Sequence, residues 1–191
     1  MRELIYARPP ISLKSTGFTL FDLLIALAIA IILLSIAVPN FKQLQLRENL
    51  QSQAELVFRL TQASRASSLD GASNIILCGT TDFKTCQEKE FRDLMAFTDT
   101  NDSKEREEDE AILYQYRVPS SLIMHLRNSA QSQKNWLQYR YTEADANPYG
   151  SFYLCAADKA SNLGQRVAVS NVGRNRLWEP RPFAMDECGT H

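Results

Sequence analysis

The residues Gly173-Arg174-Asn175-Arg176 set two guanidinium groups two positions apart beside a glycine. They follow the alternating run Arg166-Val167-Ala168-Val169-Ser170 and precede Leu177-Trp178. Glycine suits a turn, where a positive φ is often required. From Lys159 through Trp178 the chain carries Lys159, Arg166, Arg174 and Arg176 and no acid, and Arg181 extends the run. The chemistry such a patch can do is neutralisation of a polyanion, each guanidinium taking a phosphate in bidentate fashion. Spacing alone reads first as a solvated hairpin tip with two ordinary surface arginines. Trp178 could stack on an exposed base; a half-buried strand tryptophan is its more ordinary role.

A second candidate is the acidic run from Asp99 to Glu110, DTNDSKEREEDE, with a net charge of −5. Asp99, Asn101, Ser103 and Glu110 fall at ligand-like positions of a calcium loop. Lys104 stands where that loop needs glycine, and no helical pattern flanks it, so the run reads as a solvated hairpin loop. Its charge would repel DNA and orient the polymer toward the basic end. The four cysteines allow three pairings. Cys78–Cys86 with Cys155–Cys188 is favoured: the first closes a short loop, and the second ties down the tail. The spacings lack C-x₂-C pairs and the histidines are dispersed, which argues against zinc. No metal or cofactor is expected. No nucleophile elbow, phosphate loop or zinc-protease helix is visible, and His125 stands alone in an apolar run, so no enzymatic activity is expected.

The elements that must position these residues begin with Gly17–Pro39, GFTLFDLLIALAIAIILLSIAVP. It is long and apolar enough to span a bilayer as a helix. Asp22 is its single charge. An acid there costs a few kcal/mol on insertion and is by default functional. An α-amino group is the nearest available partner, and pairing would lower the cost for both; the plainer role is an acid favoured by the helix dipole. Basic residues Arg2, Arg8 and Lys14 precede the apolar run, predicting a leader-inside, C-terminus-outside topology. The whole chain carries −1; with the leader's net +2 removed, the rest carries −3, so any nucleic-acid binding must be local. The cysteines all follow the anchor, which fits an oxidising compartment such as the periplasm.

Residues 40–71 hold an apolar stripe, Leu46, Leu50, Ala54, Val57, Thr61 and Ser64, at helical spacing. Anchor and stripe predict one long helix, kinked at Pro39 and capped by Gly71. Beyond Gly71 the pattern turns to short strand-like runs. These are Asn74–Gly79, Arg92–Thr98, Ala111–Arg117, Leu122–Leu126, Trp136–Tyr141, Gly150–Cys155, Arg166–Ser170 and Arg176–Trp178. The expected fold is α+β: a long N-terminal helix, transmembrane then amphipathic, packed against an antiparallel β-sheet domain. The expected divisions are residues 1–17, 18–39, 40–71 and 72–191.

The Gly junction, apolar run, acid and proline, in this order and spacing, resemble the class III signal of type IV pilins and pseudopilins. The resemblance implies that a prepilin peptidase cuts after Gly17 and that the new N-terminal Phe18 is methylated. It implies that Asp22, where the family usually has Glu, docks the subunit into a filament. The helix–sheet layout, with LCGT after the helix, LMAFTDTND in the middle, and FYLC then RVAVSNVGRNRL near the end, resembles the GspH/FimT branch. The chain looks most like FimT-type minor pilins, whose GRxR motif binds DNA during natural transformation. Gly173, Arg174 and Arg176 match that motif, with Lys159, Arg166 and Arg181 as supporting cations. The resemblance thus implies sequence-independent binding of double-stranded DNA, other pilins as partners, and an inner-membrane anchor with its domain in the periplasm and then on the pilus. The alternative within the branch is a structural pseudopilin of a type II secretion system.

Overall fold

The computed structural model describes residues 19–87, 90–128, 136–142, 149–158, 161–170 and 174–183. Two compact units divide the chain between Lys42 and Gln43. Helix α1, Leu20–Asp70, begins in the first and ends in the second, with Pro39 inside it. The helix continues through Pro39, where a break in the hydrogen-bond ladder is inherent because proline has no N–H. Every residue from Thr19 to Gln45 is exposed. Leu20, Phe21, Leu33 and Phe41 are each more than 60 % exposed. Each such side chain gains about 1.5–3 kcal/mol when removed from water, so this unit calls for an apolar surrounding.

In the second unit the stripe of α1 is buried at Leu50, Ala54, Val57, Thr61, Ser64 and Ser68. The three hydroxyls on it are satisfied. Thr61 and Ser64 donate back to the carbonyls of Phe58 and Leu60 at 2.7 and 2.9 Å. Ser68 donates to the carbonyls of Ser73 and Tyr139. The C-terminus of α1 departs from expectation. Ser73 N–H bonds Ser68 O at 3.3 Å, and the left-handed residue is Ala72, with φ 47°. Gly71 precedes that position and still donates to Ser67 O at 2.9 Å. The cap is therefore of Schellman type with alanine, not glycine, in the αL position.

Among the described residues nine strands follow: β1 Asn74–Thr80, β2 Asp93–Asp99, β3 Ile112–Arg117, β4 Leu122–Asn128, β5 Trp136–Tyr139, β6 Gly150–Ala156, β7 Leu163–Val169, β8 Asn175–Leu177 and β9 Arg181–Pro182. All pairings are antiparallel. The first sheet has the order β3-β2-β1-β5; the second has β4-β6-β7-β8, with β9 also on β7. One core joins the α1 stripe to Ile75, Leu77, Leu94 and Leu137 of the first sheet and to Met124, Phe152, Leu154, Val167 and Val169 of the second. The opposite face of the first sheet has its own cluster, Ile76, Cys78, Met95 and Phe97, with Phe83 and Cys86 packed on it. That explains why β1 is apolar on both faces. Sequence reading omits β9 and starts β7 three residues late. Gly164 on β7 accounts for both. A Cβ there would lie 2.3 Å from the Phe183 ring, so only glycine lets the β9 segment close over this end of the strand.

Candidate nucleic-acid interface

β8 pairs along β7 with Val169 opposite Asn175, Ala168 opposite Arg176 and Val167 opposite Leu177. Strand alternation then sends Asn175 and Leu177 toward the core and leaves Arg174 and Arg176 exposed on the outer side. Asn175 occupies the position that the motif leaves open, yet it is an anchor. Its Nδ2 donates to Thr61 Oγ1 of α1 at 2.6 Å. The Arg174 backbone is held as well. Ser170 N–H donates to Arg174 O at 2.9 Å, and Arg174 N–H donates to Ser170 Oγ at 3.1 Å. The fork is thus fixed from both sides. Asn175→Ala removes one partly buried bond and is expected to cost about 1 kcal/mol in chemical unfolding; Thr61→Val should reproduce the loss.

The outer face of the second sheet collects further cations. Arg166 lies opposite Tyr153 on β6, and its Nε donates to Ser151 Oγ at 3.0 Å. Its guanidinium sits 5.6 Å from the Tyr153 ring centre and 5.8 Å from that of Trp178. Arg176 lies 4.3 Å over Trp178, and Arg181 lies 5.9 Å from it. Arg127, on β4, lies 5.5 Å over Tyr153. Trp178 is partly buried and flanked by three guanidiniums. It serves as a platform that orients arginines, in line with the half-buried reading and not with base stacking. Such cation–π contacts contribute about 0.5–1 kcal/mol each at exposed sites.

These groups border a cleft of about 450 Å³, whose lining includes Arg127, Arg166, Arg174, Arg176, Tyr149 and Trp178 and, among the described residues, no acid. None of those four arginines takes part in an ion pair among the described residues. A low-lying cleft with several uncompensated cations focuses potential and is a place for a polyanion. Arg174 also borders a second cleft of about 540 Å³ with Gln62 and Arg65 of α1. Gly173 and Lys159 lie outside the described residues. Sequence reading missed Arg127 and Tyr149. The outward phase of His125 and Arg127 on β4 was the available signal, but only sheet pairing brings that strand to Tyr153.

A third cleft, of about 530 Å³, is lined by charges of both signs, Glu90, Arg92, Asp93 and Arg117 among them. There Arg117 is neutralised by a two-point contact to Asp93, 2.7 Å each, so it is no anion site. His125 is buried, with Nε2 3.9 Å from Glu90 Oε1.

The acidic loop spends its carboxylates on its own backbone. Asp99 accepts from Ser103 and Lys104 N–H, and Glu110 accepts from Thr100 and Glu107 N–H. Burial pushes the Asp99 carboxyl up from its ordinary range. Asp102 is held low, first by the Lys104 ammonium at 2.7 Å and then by Gln138 Nε2 at 2.5 Å. Lys104 adopts φ 66° without being glycine. Among the described residues no cluster of three or more His, Cys, Asp or Glu side chains is arranged to hold a metal.

Cys78 and Cys86 form a disulfide with a Cα–Cα distance of 5.6 Å. The loop they close is pinned by Asp82, whose Oδ1 accepts from Lys84 and Thr85 N–H at 2.8 and 3.0 Å. Cys155 is also disulfide-bonded; Cys188 lies outside the described residues. At the start of α1, Thr19 N–H and Oγ1 donate to Asp22 Oδ2 at 3.0 and 2.9 Å, and Asp22 N–H donates to Thr19 Oγ1 at 3.3 Å. This reciprocal capping box gives Asp22 a local partner. Gly17 and Phe18 lie outside the described residues.

A long apolar-to-amphipathic helix packed on antiparallel sheets is the α+β fold of type IV minor pilins and type II secretion pseudopilins. The crystal structure of the Pseudomonas aeruginosa type IV minor pilin FimU is similar, at 18 % identity and a TM-score of 0.50, over 69 % of this chain and 90 % of that one. The minor pseudopilin EpsH of the Vibrio cholerae type II secretion system is similar at 10 % identity and a TM-score of 0.52, over 73 % of this chain and 99 % of that one. At these identities the likeness is one of fold. No protein-family model and no curated protein sequence matches the chain.

Proposed function

We propose that this chain is a membrane-anchored minor pilin that grips DNA without regard to sequence and serves DNA uptake in natural transformation. The observation that carries the reading is the cluster of four arginines around one cleft on the outer face of the second sheet, with no acid among its described lining residues. Among the described residues no recognition helix or finger accompanies it, and in this reading the contacts are to phosphates, which position the polymer and read no bases. Arg174 and Arg176 form the fork, Arg166 and Arg181 the flank, and Gly173 and Lys159 complete the basic segment. The exposed apolar residues of α1 support an inner-membrane anchor, and later the core of a filament shared with other pilins. Cleavage after Gly17 by a prepilin peptidase and methylation of Phe18 belong to the same reading. A structural pseudopilin of a type II secretion system is the second reading, favoured by the likeness to EpsH over nearly all of that protein.

DNA binding separates the two. The full chain in non-ionic detergent, titrated against random-sequence duplex at several salt concentrations, should show log K falling against log salt with a slope of about −3 to −4, for three or four phosphates. No binding in dilute buffer, or binding indifferent to salt, would leave the secretion reading.

A further inference from the structure

We infer that the cleft accepts an unpaired nucleotide, so that the protein holds single-stranded DNA, or a frayed end, by one base as well as by phosphates. The inference rests on the DNA-binding reading. A grip on duplex phosphates alone needs only a line of cations, whereas this site is concave and, at about 450 Å³, falls in the size range of small-ligand pockets. Three aromatic rings line it among the described residues: Tyr149, Tyr153 and Trp178. Two are already engaged. Tyr153 is buried, with Arg127 and Arg166 over it, and Trp178 is flanked by three arginines.

Tyr149 differs. It is 52 % exposed and makes no hydrogen bond or ring contact among the described residues. The register places it beside the fork. Gly150, its neighbour, pairs with Val169, which pairs with Asn175, and the next residue along, Ser170, holds the Arg174 backbone. Arg127 flanks the same end, opposite Ser151 on β6. An aromatic face next to cations on two sides is the arrangement that binds single strands, with the base on the ring and the phosphates on the arginines. In a duplex the base faces are stacked inside, and the ring gains nothing.

The test uses the full chain in detergent with a mixed-sequence single-stranded oligonucleotide and the duplex of the same length. Tyr149→Leu should lower the ratio of single-strand to duplex affinity by about 5- to 150-fold, the range of one base–aromatic stack. Tyr149→Phe should restore the ratio, because the ring and not the hydroxyl acts. An unchanged ratio in Tyr149→Leu, with Arg174→Gln/Arg176→Gln still weakening both affinities, overturns the stacking site and leaves the phosphate grip standing. Absence of binding to either DNA in dilute buffer removes the grip and the stacking site together.

Discussion

Replacing Arg174 and Arg176 together with glutamine should weaken binding of duplex DNA by about 100-fold or more, because each charge-assisted hydrogen bond to phosphate contributes about 1.5–3 kcal/mol. The salt slope should flatten by about 2, one for each lost phosphate contact. Folding should be unaffected. Both side chains are exposed, and neither makes an ion pair within the described structure. Glutamine is shorter and uncharged, so the Arg176 contact over Trp178 is lost, at a cost of about 0.5–1 kcal/mol, too little to unfold the domain. The fork itself is held by Asn175 on Thr61 and by Ser170 on the Arg174 backbone, and both remain. Transformation should fail while pili are still made. Binding that survives the double substitution would place the grip elsewhere on the chain.

The other large effect is expected at Asp22. In Asp22→Ala, incorporation into filaments should fall at least about 100-fold, since breaking a desolvated charge pair costs about 3–5 kcal/mol. The capping box with Thr19 offers a competing explanation, and Asp22→Asn tells them apart. Asparagine keeps an oxygen for the Thr19 N–H and hydroxyl but carries no charge. If the carboxylate pairs with an α-amino group during assembly, asparagine should fail as alanine does. Immunoblots of sheared filaments read the outcome directly. Wild-type levels of the asparagine variant would reduce Asp22 to a helix cap.

The elements were legible because each announces itself over a short stretch. Leu50, Ala54, Val57, Thr61 and Ser64 recur at the helical period, and all are buried on one face of α1. The eight expected strands are present, with no end shifted by more than three residues. What escaped notice depends on residues far apart in the chain. β9 is two residues long and contains a proline, a pattern that no window of sequence marks as a strand. It exists because Gly164 leaves room for Phe183. Ala72 in the αL position is a similar case: Gly71 carries the propensity, but the tether from Ser73 N–H to Ser68 O sets which residue turns.

The same division runs through the candidate site. Sequence by itself determined the apolar anchor, the amphipathic face of the helix, the acid-free basic segment and the pair of arginines around Asn175. Periodicity and composition are local properties, and they survive without knowledge of the fold. Tertiary structure alone decided that Asn175 is a tether, that Trp178 is a platform for guanidiniums, and that Arg127 and Tyr149 share a cleft with the fork. Those relations come from antiparallel register, which sets β4, β6, β7 and β8 side by side and joins side chains dozens of residues apart.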